Sequence, residues 1–164
     1  MQIITAPEPF NVVVDEGEKY SSVLKVFLAG SIEQDKAEKW QDRFIEMVKD
    51  LDICVLNPRR KAWDASWKQE ANNPQFAEQV NWELDGQELA DVIVMYFDPN
   101  TKSVVTMLEL GLFAAKTLIV ICPEGFWRKG NVDMVCKRYN IGTASNLEAA
   151  VSQIKDIMKV SVNI

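Results

Sequence analysis

The chain contains no histidine among its 164 residues. Because histidine is the side chain that ordinarily titrates near neutrality, acid–base chemistry there would have to come from carboxylates, tyrosine, lysine or cysteine with shifted pKa values. Cysteine is also scarce, with Cys54, Cys122 and Cys136 only. Their odd number and their spacing fit neither a CxxC motif nor a metal site, which predicts reduced, partly buried thiols. We therefore expect no metal centre.

Long apolar runs and nucleotide-cradling loops are missing as well. No stretch approaches the ~20 apolar residues of a membrane-spanning helix, and the first ten residues lack a basic segment followed by an apolar one. This predicts a soluble, cytoplasmic protein with no membrane partner. GxGxxG and Walker motifs are absent, which argues against dinucleotide or triphosphate cofactors. The net charge of −6 disfavours a nucleic-acid partner.

Alternating strand and helix patterns fill most of the chain. Short apolar runs occur at 25–30, 53–56, 92–97, 117–122 and 141–144, and helical spacing at 33–50, 76–89, 103–115, 132–139 and 146–159. This alternation predicts right-handed βαβ units and an α/β fold, with a five-stranded, mainly parallel sheet between two helical layers. We expect one domain over residues 25–164, preceded by an N-terminal arm over 1–24 with a short hairpin around 15–17.

Residues 91–116 form the most informative stretch. An apolar strand is followed by the turn residues 98–100 and then by an almost wholly apolar helix, in which Glu109 is the single charged residue over 104–115. A carboxylate there is costly unless it is paired, coordinated or used. We expect a helix covered by protein on most sides, with Glu109 kept ionised by the helix N-terminus and able to act as a nucleophile. The alternative is a structural ion pair with Arg59 or Arg60.

The carboxyl ends of the predicted strands locate the pocket, since ligands bind there in parallel sheets. These ends carry Gly30, Ser31, Asn57 and Asp98. Backbone N–H groups of Gly30-Ser31, beside a helix start, suit a hydroxyl or a phosphate, although a plain tight turn explains the pair equally well.

Further candidates are acidic and aromatic. Glu83 or Asp85 could supply a protonated partner for the nucleophile, but a solvated helix face is the better hypothesis for Asp85. Asp91, at the amino end of its strand, is expected to cap or hydrogen-bond. The loop at 59–74 is long and polar, as binding loops are, and its Trp63 could stack on a flat ligand or simply anchor the loop.

Several segments resemble the nucleoside 2-deoxyribosyltransferase family, and in particular its Trp-rich deoxyribosyltransferase-like branch. They are VFLAGS at 26–31, NPR at 57–59, FAEQVNWELDG at 76–86, AD at 90–91, YFDPNTKS at 96–103 and LELG at 108–111. The resemblance covers roughly residues 25–141. It implies a flavodoxin-like, Rossmann-like three-layer domain that forms homo-oligomers and exchanges the base of a 2'-deoxynucleoside through a covalent deoxyribosyl-enzyme intermediate, without a cofactor.

The resemblance also assigns roles to individual residues. Glu109 matches the nucleophile, Glu83 the acidic residue that contacts the base, and Gly30 the glycine of the first-strand loop. Ser103 stands where the transferases carry an Asp near the sugar 5'-hydroxyl; a related branch that hydrolyses deoxynucleoside 5'-monophosphates has Ser there. Asn131 matches the Asn that a neighbouring subunit contributes to the 5' end.

Val26 stands where the transferases carry a Tyr that orients the nucleophile. With Ser103, this departure leaves three hypotheses open. The first is a nucleoside 2-deoxyribosyltransferase. The second is an N-glycosidase that hydrolyses nucleosides or their 5'-monophosphates. The third is a nucleotide-binding module without catalysis.

Overall fold

A computed structural model describes residues 1–10, 23–32, 37–60 and 66–161. Within these ranges, six strands form one sheet: β1 Gln2–Thr5, β2 Leu24–Gly30, β3 Ile53–Asn57, β4 Val92–Tyr96, β5 Leu118–Ile121 and β6 Gly142–Ala144. Five helices accompany it: α1 Trp40–Val48, α2 Pro74–Leu89, α3 Val104–Leu112, α4 Lys129–Tyr139 and α5 Leu147–Ser161. None of the helices in these ranges is long and apolar enough to cross a membrane.

The sheet confirms the predicted α/β class. Its order is β1-β3-β2-β4-β5-β6, and every neighbouring pair is parallel. The prediction of five strands is one too few, because β1 adds to the free edge of β3, with Gln2 opposite Cys54. The hairpin expected around 15–17 lies outside the described residues. Without β1, the order β3-β2-β4-β5-β6 is the flavodoxin-like one. Its topological switch point lies between β2 and β4, because the chain adds β3 on one side of β2 and β4 to β6 on the other side.

The period-two alternation of β2 divides the interior into two cores. Val26 and Leu28 face one side, where they pack with Trp40 of α1. Phe27 and Ala29 face the other side, with residues of α2, α3 and α4. The chain is therefore a three-layer sandwich, with α1 and α5 on one face of the sheet and α2, α3 and α4 on the other.

Helix α2 has a well-defined start, which sets the phase of its side chains. The Asn73 side chain accepts hydrogen bonds from the backbone N–H groups of Gln75 and Phe76, and Pro74 occupies the first helical position. Trp82 anchors the buried face, where its indole N–H donates to the Glu8 carbonyl at 2.7 Å.

The expectation that α3 is covered by protein on most sides is not met by this chain alone. Its apolar residues Val104, Val105, Leu108 and Leu112 are 57–71% exposed, while Thr106, Glu109 and Leu110 are buried. An apolar composition does not distinguish a helix buried within one chain from a helix that covers its own core with one side only. We call the four exposed residues the α3 apolar stripe.

Gly30 occupies a position that excludes any side chain. Its φ is +145°, and a Cβ atom there would lie 2.4 Å from the Tyr96 carbonyl oxygen and 3.1 Å from the Trp40 ring. Both neighbours belong to buried elements, so neither can move without disturbing β4 or α1. A glycine is thus required where the first-strand loop leaves the sheet.

Gly30→Ala should lower the free energy of unfolding by about 3 kcal/mol or more, because it combines backbone strain with a backbone clash. Gly111→Ala is the matched control: its Cβ would meet nothing within 4 Å, so the helix should gain roughly 0.5–1 kcal/mol. Urea unfolding of both variants checks this. Equal stability of Gly30→Ala and the unsubstituted protein would contradict the geometry.

Candidate active site

The two acidic candidates lie between α2 and α3. Glu109 is 8% exposed and accepts a 2.7 Å hydrogen bond through Oε1 from the Gln87 amide. Glu83 is partly exposed and accepts a 2.9 Å hydrogen bond from the Gln79 amide. Within the described residues, neither carboxylate forms an ion pair: Arg60 binds Glu78 instead. The structural ion pair considered as an alternative for Glu109 is therefore not formed with either arginine, since Arg59 binds Gln41 and the Glu38 carbonyl.

Burial raises the pKa of both carboxyl groups to about 7. For Glu109, the negative charge of Glu83 raises the pKa further, and the hydrogen bond from Gln87 opposes the shift. The expectation that the helix N-terminus keeps Glu109 ionised is contradicted by this raised pKa, whose largest cause is the loss of solvent around the carboxyl group. With both pKa values near 7, each group can gain or lose a proton near neutral pH, which is the property that acid–base chemistry requires.

A cluster of three buried hydroxyls lies where β2 and β4 end and α3 begins. Thr101 Oγ1 is 2.9 Å from Ser31 Oγ and 2.8 Å from Ser103 Oγ, and the two serine hydroxyls also contact each other. Ser103 has a φ of 46° and a ψ of 43°, a left-handed backbone that costs a non-glycine residue energy. The cluster combines hydroxyl donors with the N-terminus of α3, which suits an anionic or hydroxylic group.

Other predicted pocket residues mainly shape the loops. Asp98 accepts hydrogen bonds from the backbone of Glu38 through one oxygen and from Asn100 through the other. Asn57 accepts the Arg59 backbone N–H at 3.0 Å. Asn57 thus holds its own turn. Asp98 holds its own turn through Asn100 and joins it to the segment before α1 through Glu38.

The remaining candidates are dispersed. Trp63 lies outside the described residues. Asn131 is exposed near the start of α4, beside a groove of about 400 Å³ that is lined also by Met134 and Tyr139. None of the residues that line this groove belongs to the Glu109 cluster. Asp85 is exposed, as predicted, and Asp91 accepts the Lys25 backbone N–H at 2.8 Å, which confirms its hydrogen-bonding role at the amino end of the strand.

Val26, which stands where the transferases carry a Tyr that orients the nucleophile, does not face Glu109 in this fold. Val26 packs with Trp40 under α1, whereas α3 and Glu109 lie across the sheet. The next residue, Phe27, faces the α2 and α3 side, where it packs with Trp82. A one-residue shift in a strand moves a side chain to the other face, and sequence alone did not settle which residue faced Glu109.

Gln79 and Gln87 were not predicted from the sequence. They lie four residues before and after Glu83, so all three share one face of α2. Both are buried, at 4% and 0% exposure. The sequence feature that could have indicated them is the four-residue spacing of polar residues on either side of an acidic one. A solvent-exposed helix face shows the same spacing, so it does not identify a buried site.

A family model described as nucleoside 2-deoxyribosyltransferase like matches residues 23–126. The chain belongs to this nucleoside 2-deoxyribosyltransferase-like family. The matched residues include β2, α2, β4 and α3, and hence both carboxyl groups and the hydroxyl cluster. Family membership indicates a nucleoside-related enzyme with a small-molecule substrate.

Comparison with solved structures supports the fold. A crystal structure described as a conserved protein from Enterococcus faecalis V583 superposes with a TM-score of 0.58 at 16% identity, over 82% of this chain and 98% of that one. At this identity, the likeness concerns the fold alone. No curated protein matches the chain.

The raised pKa of Glu109 predicts a pH-dependent gain in stability for Glu109→Gln. Below the unfolded value of about 4.5, the carboxyl group is protonated in both states and makes no difference. Between about 4.5 and 7 it ionises in the unfolded chain but stays protonated in the folded protein, so stability falls with rising pH until the folded group has also ionised. The substitution removes this cost, so we expect a gain of up to about 3 kcal/mol near pH 8 that disappears near pH 4.

Thermal unfolding across this pH range, followed by circular dichroism, measures the difference. Asp85→Asn, which removes an exposed carboxylate from α2, is the control and should leave the pH profile of stability unchanged. A Glu109→Gln protein that is less stable than the unsubstituted protein at pH 8 would contradict the analysis.

Proposed function

We propose that this protein cleaves the N-glycosidic bond of 2'-deoxynucleosides through a covalent glycosyl-enzyme intermediate on Glu109 and transfers the sugar to a second base. The observation that carries the proposal is a pair of carboxyl groups, the buried Glu109 and the partly exposed Glu83, each with a pKa near 7 and each bound by a neutral amide. Retaining glycosidases use two carboxyl groups in this way, one as a nucleophile and one as an acid.

In the first step, an ionised Glu109 oxygen attacks C1' of the sugar, and the bond between C1' and the base nitrogen breaks. The base leaves with the electron pair of that bond and takes a proton from the neutral Glu83 carboxyl group. In the second step, a nitrogen of another base attacks C1' and loses its proton to Glu83, and the ester bond to Glu109 breaks. The chemistry uses groups that this chain supplies.

A second candidate is hydrolysis of 2'-deoxynucleoside 5'-monophosphates, in which water replaces the second base. The hydroxyl cluster favours it: Ser31, Thr101 and Ser103 lie together at the N-terminus of α3, where a carboxylate at position 103 would repel a phosphate. Lys102 and Arg128 lie in the neighbouring loops, and the Trp127 indole N–H donates to the Lys102 carbonyl at 3.0 Å, which joins these loops.

We further propose that the protein forms a homo-oligomer through the α3 apolar stripe. Four exposed apolar side chains on a nine-residue helix are unusual for a monomer surface, and the stripe carries no charge, so a second copy with the same net charge of −6 could pack there without like-charge contact. Asn131, Met134 and Tyr139 on α4 supply further surface to such a contact.

The free thiols of Cys54, Cys122 and Cys136 are in keeping with a reducing compartment, the cytoplasm.

The purified protein should convert 2'-deoxyinosine and adenine into hypoxanthine and 2'-deoxyadenosine, as measured by chromatography. Glu109→Gln should reduce this turnover by about 10³-fold or more, because it removes the nucleophile. The pH dependence should be bell-shaped with a maximum near 7, since one carboxyl group must be ionised and the other protonated.

The same assay separates the candidates. Release of base without a new nucleoside indicates a hydrolase, and turnover of monophosphates alone indicates the second candidate; Ser103→Ala should then raise KM for the monophosphate. Wild-type turnover by Glu109→Gln would refute the covalent mechanism. Tight nucleotide binding with no base release would support the hypothesis of a nucleotide-binding module without catalysis.

The oligomer has its own test in sedimentation velocity. Leu108→Lys places a charge in the middle of the α3 apolar stripe and should shift the protein toward monomer. Val160→Lys on α5 replaces an equally exposed apolar residue on the other face of the sheet and should leave the assembly intact. A monomeric wild-type protein at all concentrations tested would refute the proposal.

A further inference from the structure

Three polar residues of α2 form a continuous row toward Glu109. Gln79, Glu83 and Gln87 are spaced four residues apart, so they lie one above another on one helix face. The Gln79 amide donates to Glu83, and the Gln87 amide donates to Oε1 of Glu109 on α3. Each of the two carboxyl groups thus accepts a hydrogen bond from one amide. The two amides lie one helical turn before and one helical turn after Glu83.

The orientation of both amides is determined by their second partners. Gln79 Nε2 also donates to the Pro58 carbonyl at 2.9 Å, and Gln87 Nε2 also donates to the Glu83 carbonyl at 3.2 Å. A carbonyl oxygen and a carboxylate both accept hydrogen bonds, so only the NH₂ end of each amide can face them. Rotating either amide by 180° would replace two hydrogen bonds with two repulsive contacts. Gln87 therefore presents a donor of fixed direction to Glu109.

The other end of each amide is left without a partner. Within the described residues, Gln79 Oε1 and Gln87 Oε1 are buried and accept no hydrogen bond. A buried, unpaired amide oxygen costs stability, and an apolar side chain of similar length would avoid that cost. Gln87 is fully buried, so its amide cannot form hydrogen bonds with solvent. The contact with Glu109 is the property that an apolar residue could not supply.

We propose that Gln87 is a positioning residue for the nucleophile: its amide holds Oε1 of Glu109 and thereby directs the other carboxylate oxygen, Oε2, at the reacting sugar carbon. Within the described residues, Oε2 has no hydrogen-bond partner, so it is the oxygen left to form the bond. This inference rests on the proposed function, because it assumes that Glu109 attacks the sugar. A fixed direction of attack lowers the entropic part of the barrier.

The charged surroundings of Glu109 are simple enough for the effect of Gln87 to be isolated. Helix α3 carries no other titratable side chain. From α2, Glu83 is the charged group whose field reaches Glu109 among the described residues. Lys116 follows α3, but its ammonium group donates to the Gln87 carbonyl at the end of α2. Loss of the Gln87 amide should therefore remove its hydrogen bond to ionised Glu109 and leave the charged neighbours of Glu109 in place.

The test is Gln87→Met, which keeps the length of the side chain and removes the amide. We expect kcat to fall about 10- to 100-fold with little change in KM, since binding of the substrate does not use this amide. The acidic limb of the kcat–pH profile should move to higher pH, because the lost donor favoured ionised Glu109.

Gln41→Met is the matched control. Gln41 is equally buried, also has an unpartnered amide atom, Nε2, and lies in α1 on the opposite face of the sheet. It should change stability by a similar amount without moving the acidic limb. A shift of the same size in both variants would show a general effect of loosened packing and would overturn the proposal.

A second readout does not depend on turnover. In protein labelled with ¹³C at glutamate carboxyl groups, the Glu109 resonance is assigned by its loss in Glu109→Gln, and its titration midpoint should move to higher pH in Gln87→Met. An unmoved midpoint overturns the proposal.

The kinetic outcomes separate this proposal from the function it rests on. If Glu109→Gln abolishes turnover and Gln87→Met keeps the wild-type kcat and pH profile, the proposed function stands and the positioning role is refuted. If Glu109→Gln keeps turnover, the proposed function is the part that has failed, and the positioning role falls with it.

Discussion

Two carboxyl groups, the partly exposed Glu83 on α2 and the buried Glu109 on α3, lose much of their solvent and pair with no cation among the described residues, and the site depends on this constraint. Desolvation raises both pKa values to about 7, and the charge of Glu83 adds to the shift at Glu109. Neutral amides from Gln79 and Gln87 hold the carboxyl groups in place without fully reversing this shift. An arginine in their place would lower the pKa values and remove the proton that one of the pair needs.

The loops that follow β2 and β4 are held together by close packing and hydrogen bonds. Gly30 lets the first-strand loop pass against Tyr96, and the Trp40 indole N–H donates to the Ser31 carbonyl at 3.2 Å. Ser31 in turn accepts the Asp98 backbone N–H at 3.0 Å. The two loops on either side of the β2–β4 switch point are therefore joined, and the hydroxyl cluster forms where they meet the start of α3.

Sequence patterns predicted much of this arrangement, and each success has a local cause. Apolar runs of four to six residues between helical periods predict buried parallel strands, and Glu109 was conspicuous as the single charge in an apolar helix. The failures concern contacts between distant elements. Gln87 lies 22 residues from Glu109 in the chain, and nothing local marks the contact. The α3 apolar stripe has the composition of a core, so its exposure follows only from what packs against it.

The sequence by itself determined the α/β class and the βαβ order and singled out Glu109 as a candidate, because strand and helix periods and an isolated charge are properties of short segments. Only the tertiary structure decided which side of each element faces the site. It placed Val26 away from Glu109, added β1 to the sheet edge and joined Asp98 both to Asn100 in its own loop and to the backbone of Glu38. It also brought two glutamines to the two carboxyl groups, because the solvation of a side chain depends on neighbours that the fold supplies.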